Sequence, residues 1–159
     1  MARTCIFLLQ RSVLKAKTSL CLQKRAFFNV KNKESGDLLS VLPSEDDVKS
    51  GRVIVAPENK ELEQLWFYEK GLLKPKFAPD VSLQTIGTLA DTGSKVVLWT
   101  ETRIPIHCWT FEFSGTVRSL LYEGFVLDIK GGKSYDRDAA MICRYEEQNP
   151  MQQWEIQML

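Results

Sequence analysis

His107 is the chain's only histidine, and it is accompanied by four cysteines. Catalysis by this imidazole would need a nucleophile and an orienting partner, and no separate motif supplies either. A zinc site is excluded in the same way, since Cys108 and Cys143 lie far apart and follow no C-x-x-C spacing. Both sit in apolar, strand-like runs and are expected to be buried free thiols. Glu45-Asp46-Asp47 reads as a solvated turn cluster. Gly131-Gly132-Lys133-Ser134 lacks the G-x-x-x-x-G-K spacing and following helix of a phosphate loop. No carboxylate pair has the spacing that glycoside hydrolysis requires. The expectation is a non-catalytic protein that carries no metal and no cofactor.

Charge is divided unevenly along the chain. Its 159 residues carry a formal net charge of +1, yet residues 1–33 hold eight Lys and Arg and no acid. What remains has 13 basic against 20 acidic residues, a net of −7, which disfavours nucleic acid as a partner. Residues 1–27 are basic, acid-free and rich in hydroxyls, with Ile6, Leu9, Val13 and Leu20 on one side of a helical wheel and Arg11 and Lys15 opposite. The apolar run Cys5-Ile6-Phe7-Leu8-Leu9 is too short for a secretory signal, so the segment reads as a mitochondrial presequence. Arg25-Ala26-Phe27 before Phe28 resembles an arginine-directed cut site. A cytoplasmic location is the alternative. No run approaches the roughly 20 apolar residues of a membrane span.

The informative signal is internal repetition. Trp66, Trp109 and Trp154 are spaced 43 and 45 apart, and two of them close a Gln-x-Trp triplet, with His107 in the glutamine's place in the middle copy. Ten residues before each Trp an apolar run ends, at Ala56, Trp99 and Arg144. Further upstream, Leu39-Ser40-Val41, Leu83-Gln84-Thr85 and Leu127-Asp128-Ile129 recur at intervals of 44. After each of the first two tryptophans comes an aromatic strand and a glycine, Gly71 or Gly115. Short strands separated by regular turn signals predict an all-β sandwich or barrel. Counting back from Ser40 makes Phe28-Asn29-Val30-Lys31 the equivalent of Leu72-Leu73-Lys74-Pro75 and Thr116-Val117-Arg118-Ser119. Three four-strand units are therefore expected over about 28–70, 71–114 and 115–159. Pairing the two ends of the set would leave no open sheet edge.

Three units of this kind, each with L-D-x, V-x-L-aromatic and Q-x-W elements, resemble the ricin B-type (QxW)3 lectin family. The third is the closest: Val126-Leu127-Asp128-Ile129, Ala140-Met141-Ile142-Cys143-Arg144-Tyr145, then Gln152-Gln153-Trp154. The resemblance implies a β-trefoil over 28–159, with one Trp per unit filling the core and its indole N–H finding a partner. It also implies carbohydrate binding. In such lectins an Asp accepts hydrogen bonds from sugar hydroxyls, an aromatic stacks on the pyranose face, and an Asn-Gln pair completes the polar contacts. The first unit offers only Ser40, Ala56, Glu63 and Gln64 at these places. The second offers Gln84, Trp99, Ile106 and His107, where His107 is expected to take over the glutamine's hydrogen bonds. Only the third keeps the set: Asp128 as hydroxyl acceptor, Tyr145 as platform one place beyond the aligned Arg144, and Gln152 as orienting amide. Met151 replaces the Asn, with Asn149 nearby. The implied partner is a galactose-type glycan or glycoconjugate. The alternative is a protein-binding trefoil whose sugar sites have decayed.

Overall fold

The computed structural model describes residues 25–42, 51–86, 91–100, 107–129 and 140–159. The leader up to residue 24, the Glu45-Asp46-Asp47 turn, Ile106 and the Gly131-Gly132-Lys133-Ser134 segment lie outside them. Twelve strands are present: β1 (Phe28–Asn32), β2 (Leu38–Leu42), β3 (Arg52–Ala56), β4 (Trp66–Glu69), β5 (Leu72–Pro75), β6 (Val81–Thr85), β7 (Ser94–Thr100), β8 (Trp109–Phe111), β9 (Val117–Ser119), β10 (Phe125–Ile129), β11 (Ala140–Arg144) and β12 (Trp154–Met158). Single turns of 3-10 helix, Leu62–Gln64 and Pro150–Gln152, precede β4 and β12.

The strand that begins with each tryptophan pairs with the strand that follows it in the ring. β4 lies against β5 with Trp66 opposite Pro75, β8 against β9 with Trp109 opposite Ser119, and β12 returns to β1 with Trp154 opposite Asn32. The ring is thereby closed, and the backbone groups of the first and last strands are satisfied by each other. Three antiparallel hairpins, β2–β3, β6–β7 and β10–β11, cap it, each with five residue pairs. The hairpins touch through Arg52 opposite Val97 and Lys95 opposite Met141. This is a β-trefoil.

Alternation in the hairpins decides what faces the core. Leu127, Ile129 and Ile142 point inward with Leu39, Val41, Leu83 and the three tryptophans. Asp128, Met141 and Cys143 take the outer face, because a strand's period is two. Trp66, Trp109 and Trp154 are each almost completely buried, and their indole N–H groups donate to Leu39 O (2.9 Å), Leu83 O (2.9 Å) and Leu127 O (3.1 Å). Each indole's removal from water is worth about 4–6 kcal/mol of transfer energy. The hydrogen bond to the middle strand fixes its position against the hairpin above.

Arg25 and Phe27, just before β1, contact the first unit. Arg25 lies 3.5 Å from Glu69 and over the Phe67 ring, Phe27 meets Phe67 edge-on, and the Leu159 amide donates to Phe27 O. Among the described residues no helix is long and apolar enough to cross a membrane.

Candidate functional site

The outer face of each hairpin carries a glutamine that ties the end of the hairpin to the middle of its first strand. In the first unit Gln64 donates to Ser40 Oγ (3.0 Å) and Pro57 O (2.8 Å), and accepts from the Asn59 amide (2.8 Å). In the third, Gln152 donates to Asp128 Oδ2 (2.8 Å) and Arg144 O (2.9 Å), and accepts from the Glu146 amide (2.9 Å). The 3-10 turn places both glutamines, which are fully buried.

The second unit is built differently from the expectation. His107 does not take over the glutamine's bonds: its Nδ1 is buried with no hydrogen-bond partner, and burial lowers its pKa. Gln84 does the work from the middle of β6 instead, donating to Ser82 Oγ (3.1 Å) and Thr100 O (3.3 Å). Pro57, Thr100 and Arg144 hold the same place in the three hairpins, so one carbonyl per unit receives a glutamine amide whichever strand supplies it. Sequence reading missed this role of Gln84. The signal was present as a paired exchange, glutamine where the other units have Ser or Asp, and histidine where they have Gln.

Strand register corrects one further alignment. Ser40, Gln84 and Asp128 stand opposite Ile54, Val97 and Met141. Two residues further along the same face come Ala56, Trp99 and Cys143. Cys143 rather than Arg144 therefore corresponds to Trp99, because the connection from β11 to Trp154 is one residue longer than its counterparts. Trp99 is 59% exposed, whereas the Cys143 thiol is buried, and its pKa is pushed up to about 11 by burial and by the neighbouring Asp128 carboxylate. The thiol is inert at neutral pH.

Asp128 and Gln152 come together, and Tyr145 lies further along the same hairpin, opposite Gly124. Asp128 is 5% exposed; its Oδ1 accepts from the Ile129 amide (2.6 Å) and its Oδ2 from Gln152. The side-chain amide of Gln152 thus bridges Asp128 Oδ2 and the Arg144 carbonyl. The tyrosine continues the outer face of β11, with its amide donating to Gly124 O (2.9 Å), and its ring is 40% exposed. Both Gln152 Nε2 hydrogens are committed within the chain, so this residue orients the carboxylate and does not reach a ligand itself. Asn149 is also committed: its Oδ1 caps the 3-10 turn at the Met151 amide (3.0 Å), and its Nδ2 donates to Glu146 (2.9 Å). A carboxylate can accept from hydroxyls, and an exposed aromatic ring can pack an apolar C–H face.

The fold is that of a β-trefoil with one buried tryptophan per unit. The family model described as the ricin-type beta-trefoil lectin domain matches residues 26–154, and the chain belongs to that family. Among curated proteins it is 42% identical over 137 residues to human "Beta/gamma crystallin domain-containing protein 2" and 31% identical over 138 residues to human "Beta/gamma crystallin domain-containing protein 1". These matches cover 86% and 87% of the chain but only 8% and 6% of the relatives, so the chain spans less than a tenth of their length. Among solved structures, the earthworm R-type lectin C-half in complex with GalNAc superposes with a TM-score of 0.63 at 22% identity, over 84% of this chain and 99% of that one. A Macrolepiota procera ricin B-like lectin in complex with lactose gives 0.64 at 18%, over 88% and 99%. The designed threefold-symmetric protein ThreeFoil gives 0.71 at 17%, over 84% and 99%.

Proposed function

We propose that the domain is a non-catalytic carbohydrate-binding module with one working pocket, in the third unit, taking a galactose-type glycan. Asp128 accepts from adjacent sugar hydroxyls, Tyr145 stacks on the apolar face of the ring, and Gln152 holds the carboxylate in place. The observation that carries this reading is the nature of the residue at position 128. Ser40 accepts the same glutamine amide in the first unit with a neutral hydroxyl, and Gln84 at this place in the second is neutral as well. Asp128 is a buried carboxylate held only by neutral donors, with no cation at salt-bridge distance among the described residues. Burying a charge opposes folding, and a ligand that uses this carboxylate would account for its place. The lactose and GalNAc named with the two lectin structures support the sugar class.

A second reading has its own observation. The platform place of the third unit holds Cys143, the first unit has Ala56 there, and only the second has an aromatic, Trp99, with no carboxylate beside it. A single shallow site binds weakly, and the gain from linking several is absent. On this reading the trefoil surface binds a protein. Lactose separates the two: it competes with the natural partner in the first case and leaves binding untouched in the second.

We further propose that residues 1–27 direct the chain to mitochondria. A reporter fused to them that accumulates there agrees; one that stays in the cytoplasm or is secreted removes the proposal.

A further inference from the structure

We propose that Arg118, held by Glu112 across the seam between the second and third units, is a positioning residue that fixes Tyr145 as the sugar platform. The proposal rests on the reading of the Asp128 pocket given above. Tyr145 lies beyond the end of β11, where a ring would ordinarily be free to choose among rotamers. Its position is set from another strand. The Arg118 guanidinium carbon lies 5.5 Å from the centre of the Tyr145 ring, within range of a cation–π contact. Arg118 is in turn clamped by a two-pronged pair, Nε to Glu112 Oε1 at 2.7 Å and Nη2 to Glu112 Oε2 at 3.0 Å. Glu112 Oε2 also accepts from Thr116 Oγ1 at 2.6 Å, and Thr116 Oγ1 lies 2.9 Å from Ser114 Oγ. The carboxylate that anchors the arginine is thus itself fixed by its own turn.

The preceding seam shows which part of this arrangement is scaffold. Glu69, three residues after Trp66 as Glu112 is after Trp109, meets Lys74 at 3.1 Å, and Lys74 corresponds to Arg118. A carboxylate–cation pair is therefore common to these two seams. Lysine presents a point charge, whereas arginine offers a planar fork with donors left over. At the third unit the fork uses Nε and Nη2 on Glu112, and its central carbon lies over the Tyr145 ring. Ordering the ring before the ligand arrives lowers the conformational cost of binding.

The test is a double-mutant cycle on the full chain, with lactose affinity measured by 15N NMR titration and the melting temperature as the folding control. Arg118→Ala is expected to weaken lactose about two- to fivefold, the range of one exposed cation–π contact. Tyr145→Ala weakens it at least as much, and the double variant binds no more weakly than Tyr145→Ala alone, since Arg118 acts only through the ring. Arg118→Lys recovers part of the loss. Should Arg118→Ala fail to fold, Glu112→Gln replaces it, and loosening the clamp produces the same dependence on Tyr145. Wild-type affinity in folded Arg118→Ala, or losses that multiply in the double variant, overturns the proposal. Asp128→Asn tests the underlying pocket separately: if it binds lactose as the wild type does, or the wild type binds none, the pocket itself is wrong.

Discussion

Three positions a repeat apart, Ser40, Gln84 and Asp128, do one structural job with three chemistries. Each is buried on the outer face of a hairpin and hydrogen-bonded to the outer network of its unit. Only Asp128 brings a negative charge, and this makes a prediction that separates scaffold from function. Asp128→Ser imports the first unit's solution, in which a hydroxyl accepts the glutamine amide. It should leave thermal stability within about 1 kcal/mol of the wild type, or raise it, because a buried charge is removed and the donor keeps a partner. Lactose binding should be lost in the same variant. A destabilised protein that still binds would invert the assignment. Sequence alone placed Asp128, Gln152 and Tyr145 in one site by resemblance; the coordinates join Asp128 to Gln152 and set Tyr145 further along the same hairpin, opposite Gly124. It aligned Arg144 rather than Cys143 with Trp99 because counting back from Trp154 ignores the extra residue in the connecting loop. It also assigned Gln84's work to His107, since a side chain's reach from β6 to the Thr100 carbonyl depends on register, not on spacing.

At the scale of elements, the seams between units are made by close backbone approach. The Trp109 amide donates to Gly71 O at 2.9 Å and the Trp154 amide to Gly115 O at 2.7 Å. Both glycines have positive φ, 88° and 95°, and both turn the Trp strand of one unit into the first strand of the next. A Cβ on Gly115 would come within 2.7 Å of Lys33 Nζ, 2.8 Å of Gln153 Oε1 and 3.1 Å of Trp154 O. The last is backbone and cannot swing away. On Gly71 the nearest atom would be the Cys108 sulfur at 2.8 Å. Gly115→Ala should therefore cost more than the roughly 1–2 kcal/mol of a left-handed residue alone, measured by denaturant unfolding. Equal stability of Gly115→Ala and the wild type would contradict the stated packing. These glycines were legible as turn markers after each aromatic strand. Their second role, admitting the next unit's backbone, was not, because it depends on a partner more than thirty residues away.

The Glu112–Arg118 clamp carries a pH signature at the same scale. Hydrogen bonding from Arg118 holds the Glu112 carboxyl below its ordinary value of 4.5, against the opposing effect of burial. A lowered acid pKa means the folded state favours the ionised form. The clamp's contribution is complete above about pH 4.5 and fades as the pH falls through the lowered value. Any melting-temperature difference between the wild type and Glu112→Gln should accordingly narrow below that pH. The pair is partly solvent-exposed, so the effect is modest and falls with added salt. A difference that widens in acid would show that the clamp does not stabilise the charged pair.

For the whole molecule, threefold architecture and threefold chemistry have separated. The tryptophan core and its three indole hydrogen bonds repeat almost without variation, and the strand ring closes through β1 and β12. This much was legible in the sequence, because burial and hydrogen bonding constrain every copy alike and leave a periodic trace. The outer face follows no such constraint. Ser40, Gln84 and Asp128, or Ala56, Trp99 and Cys143, diverge freely once each unit's carbonyl has its glutamine. The chemistry of the outer face is therefore individual to each unit, with a carboxylate at this place only in the third. The most direct measurement is a lactose titration of the 15N-labelled chain that follows the Gln152 side-chain amide and the Tyr145 backbone amide. Saturable shifts at both, absent in Asp128→Asn, are the predicted result. No shift at high lactose, or shifts confined to the Trp99 hairpin, would contradict a sugar site in the third unit.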